Sequence, residues 1–214
     1  MTNILAKWDG PVGLMNAQSE WGLESWVFPS SNLGTFDSTT VQPNPFNLQS
    51  NKKYIKYGIL FSKEEIAATI GERPATLVGI GFFCKAKPYC SLLDYEIKVG
   101  NTELNTLQPG WGETEKTLVK VSFLPLGGKW FFFGPFSQTP EETFVWDGSS
   151  NLYFELSWTR QRGQTSTGRS SLVASTPTDF QKTLMTSAGA DDIMENMPFV
   201  WGTPRPATIL KWKR

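Results

Sequence analysis

From Leu152 to Trp158 apolar and polar side chains alternate without a break. Leu152, Phe154, Leu156 and Trp158 hold one parity; Tyr153, Glu155 and Ser157 hold the other. A period of two places these sets on opposite faces of an extended chain, whereas a helix would scatter them around its circumference. The stretch therefore predicts a half-buried antiparallel strand. Just before it, Phe144-Val-Trp146 runs into Asp147-Gly148, a dipeptide that suits a tight turn.

The same reading extends along the chain. Lys53–Phe61 and Asp94–Val99 alternate, and Lys116–Phe123 sets Leu118, Val119, Val121 and Phe123 against Lys116, Lys120 and Ser122. Ala75–Cys84 is a compact apolar run, Lys129–Phe133 is mostly aromatic, and Ala207–Lys213 alternates once more as a final strand. Nine Trp and fifteen Phe favour strands, and 19 Gly with 14 Pro supply chain reversals. Together these predict a mainly β chain, an antiparallel sandwich of jelly-roll-like type. A length of 214 residues suits one such domain with arms. We place an irregular N-terminal arm at 1–50, the sandwich at 51–172 and a C-terminal extension at 173–214.

One helix interrupts the strands. In Ser62-Lys-Glu-Glu-Ile-Ala-Ala-Thr-Ile-Gly71, Ser62 is placed to cap the start, Glu65 to complete a capping box and Gly71 to end the helix. Ile66 and Ile70 share a face. Weaker helical character is expected at Phe180–Met185 and Ile193–Met197. The arm carries Trp8, Trp21 and Trp26 among dense Gly, Pro, Ser and Asn. Disordered tails avoid large aromatics, so these three, with Trp201, are candidate contacts to a partner. Trp111 and Trp130 are candidate platforms for stacking a sugar, against the plainer reading of each as core or interface packing.

The chain contains no His. That removes Ser-His-Asp and Cys-His nucleophilic sites and every His-based metal site. No phosphate-cradling Gly-x-x-x-x-Gly-Lys-Ser/Thr loop occurs, and Gly79-Ile-Gly81 runs on into Phe82 as strand glycines. Paired carboxylates are the remaining enzymatic route. Asp94, Glu96, Asp147 and Glu155 are the candidates, with Asp94 and Glu96 expected on one strand face. Nothing in the sequence orders them as acid and base, so no catalytic residue, cofactor or metal is assigned. Asp147, Gly148 and Asn151 are read as a structural turn, held by side-chain-to-backbone bonds, in preference to a calcium loop.

Lys+Arg and Asp+Glu both total 20, which gives no basic excess for nucleic acid. No apolar run approaches the roughly 20 residues that would span a bilayer, and no signal peptide is expected at residues 1–10. Cys84 and Cys90 are expected as free thiols, with a local disulfide as the alternative.

Four landmarks, in order, carry a resemblance. They are Phe61-Ser-Lys-Glu-Glu-Ile66 with Gly71, Leu77-Val-Gly-Ile-Gly-Phe82, Tyr95-Glu-Ile-Lys-Val-Gly-Asn-Thr102, and Phe144 to Trp158. About half the chain thus resembles the adhesive β-sandwich modules repeated in surface proteins of Bacteroidetes. The resemblance implies a sandwich fold, an adhesive or accessory role and no shared catalytic residues. Family members are usually secreted within long chains. The layout here, a sandwich with aromatic arms, is similar instead to a structural protein of a tailed-phage virion. The expectation is a non-enzymatic assembly protein of the tail, baseplate, head fibre or capsid decoration. It would contact other virion proteins and further copies of itself, bind no nucleic acid and insert in no membrane. The alternative is a module that adheres to a host-surface glycan.

Overall fold

The computed structural model describes residues 54–84, 91–107, 111–124, 129–134, 136 and 142–160, and the strand segments 24–28, 175–176, 183–188, 200–202, 205–206 and 208–213. The elements in chain order are β1 (Glu24–Phe28), β2 (Tyr54–Phe61), α1 (Lys63–Ile70), β3 (Ala75–Cys84), β4 (Leu92–Thr102), β5 (Lys116–Phe123), β6 (Lys129–Phe133) and β7 (Phe144–Trp146). They continue with β8 (Asn151–Arg160), β9 (Ser175–Thr176), β10 (Thr183–Ala188), β11 (Val200–Gly202), β12 (Arg205–Pro206) and β13 (Thr208–Lys213).

The fold is mainly β, and every described pairing is antiparallel. Sheet 1 has the order β1-β13-β3-β6, with β7 also paired to β3. Sheet 2 has the order β11-β10-β2-β8-β4-β5. A short third ladder joins β12 to β9. Sheets 1 and 2 pack face to face as a sandwich. From sheet 2 the core takes Tyr57, Ile59 and Phe61 of β2, Tyr95, Ile97 and Val99 of β4, and Phe154, Leu156 and Trp158 of β8. Sheet 1 answers with Leu77, Ile80 and Phe82 of β3, Phe131 and Phe133 of β6, Trp146 of β7, and Leu210 and Trp212 of β13. Aromatic rings meet across the gap and within a sheet: Tyr95 stacks on Phe133 of sheet 1 and on Trp158 of its own sheet, each at 5.4 Å between centroids. Offset stacking adds roughly 0.5–1.5 kcal/mol per pair beyond burial.

β8 carries the strongest alternation and lies deep in its sheet, between β2 and β4. Leu152, Phe154, Leu156 and Trp158 are all buried, as the sequence predicts. Tyr153 is buried too, although its parity points away from the sandwich core. A second, smaller cluster on the outer face of sheet 2 explains it: Tyr153 packs there with Leu60 and Leu107, and Trp111 lies against them.

Helix α1 forms at the expected place. The Ser62 hydroxyl accepts from the Glu65 backbone N–H, and the Glu65 carboxylate accepts from the Ser62 N–H at 2.9 Å. Ile66 and Ile70 are the buried face. In β3, a Cβ on Gly79 or Gly81 would fall within 3 Å of the Phe132 ring, so the paired glycines make room for that ring across the outer face of sheet 1. Lys211 Nζ lies over the same ring at 4.3 Å.

Two local expectations change. Thr183–Ala188 is a strand, where the sequence suggested weak helix over Phe180–Met185; it pairs with β2 along its whole length, and that ladder overrides a marginal propensity. The helix expected at Ile193–Met197 lies outside the described residues. Asp94 and Glu96 do not share a regular strand face. The register shifts between Leu93 and Glu96, and Asp94 takes a positive φ of 50°, the signature of a bulge. Segments assigned to the arms also carry strands. β1 pairs with β13, β10 and β11 extend sheet 2, and β13 lies between β1 and β3.

Candidate functional site

The segment Phe144–Asn151 acts as a bracket. Gly148 takes a φ of 86°, and a Cβ there would lie 2.6 Å from the Glu72 carbonyl oxygen. Left-handed backbone and close approach both demand glycine. The Asp147 Oδ1 accepts from the backbone N–H of Ser149 and of Ser150, each at 2.7 Å, and Oδ2 accepts from the Ser150 hydroxyl at 2.5 Å. Partial burial would raise the Asp147 pKa, but the bonds from Ser150 and Ser149 outweigh it and hold the carboxyl below its ordinary value. A depressed folded-state pKa adds stability above the unfolded pKa of about 3.9, and that stability is lost as pH falls through the folded value. Asp147→Asn is therefore expected to flatten the acid limb of stability. Urea midpoints at pH 7 and pH 3 should differ less in the variant than in the parent.

Asn151 reaches out of the turn. Its Oδ1 accepts from Lys63 N–H at 2.7 Å, and its Nδ2 donates to the Leu104 carbonyl at 2.8 Å and to Asn105 Oδ1 at 3.1 Å. One side chain thus ties the start of α1 to the segment that follows β4. Asn101 works in parallel, donating from Nδ2 to the Val145 carbonyl at 3.2 Å and accepting from Asp147 N–H at 3.4 Å. The Ser150 hydroxyl also lies 3.4 Å from Glu103 Oε1.

These bonds fix one wall of an open cleft of about 500 Å3, lined by Asn101, Thr102, Glu103, Leu104 and Ser150 on that side. Trp111, Gly112 and Glu113 form the other. The second wall rests on Tyr153: a Cβ on Gly112 would come within 2.7 Å of its ring, so only glycine lets the chain pass. Burial, with the Glu155 carboxylate adding to it, pushes the Tyr153 hydroxyl far above the usual phenol range, so it stays neutral. Trp111 is half-buried, with Lys56 Nζ 4.5 Å from its ring centroid and Lys56 held in turn by Glu155 at 2.7 Å. Glu103 and Glu113 are exposed, and Leu104 shows 37% of its surface.

The structure thus joins two features that the sequence kept apart. Trp111 and the Asp147–Asn151 turn meet at one cleft, the first in a wall and the second behind the other. The remaining candidates lie elsewhere. Trp130 is on β6 opposite Phe83, Trp26 on β1 opposite Leu210, and Trp201 on β11 opposite Leu184. Trp8, Trp21 and the pairing of Cys84 with Cys90 fall outside the described residues. Glu96 pairs with Lys98 at 3.3 Å, and Asp94 Oδ2 accepts from Thr159 at 3.3 Å. Glu103 and Glu113 escaped sequence reasoning because they sit in stretches with no periodicity.

A second interaction was also missed. Arg205, only 2% exposed, donates to Glu65 through two nitrogens at 2.7 and 2.9 Å and to the Leu60 carbonyl at 3.2 Å. Its guanidinium lies over the Phe61 ring at 4.4 Å. The capping glutamate of α1 is thus also the anchor of β12.

Among the described residues no three His, Cys, Asp or Glu are grouped to hold a metal ion, and no helix is long and apolar enough to cross a membrane. Antiparallel β-sandwich is the class that the architecture defines. No protein-family model, curated protein or solved structure matches the chain.

Proposed function

We propose that this chain is a non-enzymatic structural protein of a phage virion, in the tail, baseplate, head fibre or capsid decoration, working through contacts with other virion proteins and with copies of itself. The observation that carries the reading is β1. A five-residue strand, separated from β2 by residues 29–53, adds to the β13 edge of sheet 1. Strand addition by a remote segment is a general way for β proteins to join subunits, because the ladder supplies affinity without a preformed pocket. A formal net charge of zero and a Trp-bearing N-terminal region fit contacts made with protein. Size-exclusion chromatography with light scattering, beside pull-down on purified phage particles, tests it. The expected result is an oligomer or particle attachment that weakens when residues 1–28 are removed. A monomer that ignores the particles would overturn it.

A second reading, adhesion to a host-surface glycan, is favoured by a different observation: Trp111 lines a cleft with Glu103 and Glu113. Both readings hold together for a virion protein that contacts the host.

A further inference from the structure

The cleft between residues 101–104 and 111–113 has a definite chemistry. Its volume of about 500 Å3 falls within the roughly 300–1,000 Å3 of small-ligand sites. Its aromatic component is braced before any ligand arrives. Trp111 packs on Leu60, Leu107 and Tyr153, and Lys56 lies over its ring. Gly58 lets the ring sit close to β2: a Cβ there would lie 3.2 Å from Trp111 Cζ3. The facing wall is braced as well. The Leu104 carbonyl is held by Asn151 at 2.8 Å, Leu104 N–H by the Thr102 hydroxyl at 3.2 Å, and Asn101 N–H by Glu115 at 2.9 Å. Walls fixed in advance reduce the ordering cost of binding.

The polar groups narrow the ligand. Among the described lining residues there are two carboxylates, Glu103 and Glu113, and no Lys or Arg; Lys56, over the Trp111 ring, is paired with Glu155 at 2.7 Å. An ionised carboxylate only accepts hydrogen bonds, so it selects groups that donate, and its bonds to hydroxyls are charge-assisted. It repels sulfate, phosphate and carboxylate. A pyranose meets both demands, since its ring hydroxyls donate and its C–H face is attracted to the negative face of an aromatic ring.

We propose that this cleft binds an uncharged pyranose unit of a surface oligosaccharide, with Trp111 as the stacking platform and Glu103 and Glu113 as hydroxyl acceptors. The proposal rests on the adhesion reading and adds the class of sugar. The same two carboxylates disfavour sialylated, uronate-containing and sulfated glycans.

The test is binding of the full chain to an array of neutral gluco-, galacto- and manno-oligosaccharides printed beside sialylated and sulfated glycans, with a Lys/Arg-rich peptide as a further probe. Neutral oligosaccharides are expected to bind. Trp111→Ala should weaken that binding about tenfold or more, the loss of one aromatic contact. Because Trp111 also packs on Tyr153, Glu103→Gln and Glu113→Gln serve as second variants: each should weaken neutral-sugar binding several-fold at unchanged Tm. Binding confined to anionic glycans would overturn the neutral class and leave adhesion standing. Binding of the cationic peptide alone, or of nothing on the array, would overturn both. Neutral-sugar binding unaffected by all three substitutions would remove it from this cleft.

Discussion

Trp146→Ala is expected to lower stability by about 3–5 kcal/mol, the usual cost of truncating a fully buried indole. Trp146 has no exposed surface, and its ring lies 6.3 Å from that of Trp212 across sheet 1. Its Nε1 donates to the Ser150 carbonyl at 2.7 Å, so the substitution removes core volume and also frees a carbonyl of the turn. For a chain of this length the loss corresponds to a fall in Tm of roughly 10 °C. Val145→Ala, at a side chain 46% exposed in the same strand, supplies the control and should stay within about 0.5 kcal/mol. Equal losses in the two variants would mean that β7 is marginal as a strand and that Trp146 is not its anchor.

Glu65→Ala is expected to be nearly as costly, for an electrostatic reason. If Glu65 were only a helix cap, alanine would cost about 0.5–2 kcal/mol. Its carboxylate also neutralises Arg205, whose guanidinium is almost entirely withdrawn from water. Removing one partner of a buried pair strands the other charge at a cost of about 3–5 kcal/mol, and with the Glu65 side chain 34% exposed the lower end, about 3 kcal/mol, is expected. The distinguishing measurement is the double variant. Glu65→Ala with Arg205→Met should be more stable than Glu65→Ala alone, because the stranded charge is gone. If the second substitution adds to the damage, the ion pair is not the source of the loss. Chemical denaturation of the parent, Glu65→Ala and the double variant decides between these outcomes.

Both predictions turn on residues that the sequence treats unequally. Trp146 stands out, flanked by a turn dipeptide and followed by unbroken alternation, so its burial is legible from spacing alone. Glu65 reads as one half of a capping box, and it is. Its second bond spans 140 positions, to an arginine set between Pro204 and Pro206. No local pattern announces such a bond, because the partners meet only after the sheets have formed. Tyr153 shows the same limit. Its parity assigns it to solvent, and the segment after β4, which has no period of its own, covers it. The Asp94 bulge breaks a face that simple counting would make continuous. Periodicity thus revealed most strands between residues 54 and 160, the final strand β13 and the main core, whereas β1 and β10, which pair with distant strands, and the cleft, built from two aperiodic segments, required the folded chain.

The position of β13 bears on how the molecule acquires its structure. β3 pairs on one side with β13, whose residues follow it by well over a hundred positions, and β2 pairs with both β8 and β10. Contacts of such separation must wait for the intervening chain to be made and then to search, and topologies dominated by them fold in milliseconds to seconds where helical bundles take microseconds. Until residues 208–213 arrive, one edge of β3 stands open beside the apolar side chains of Leu77, Ile80 and Phe82. An open, apolar strand edge is a template for pairing with another chain. A nascent or truncated chain that stops short of β13 is thus exposed to aggregation during the same interval in which its sandwich is half built, and production at low temperature or with chaperones should raise the soluble yield.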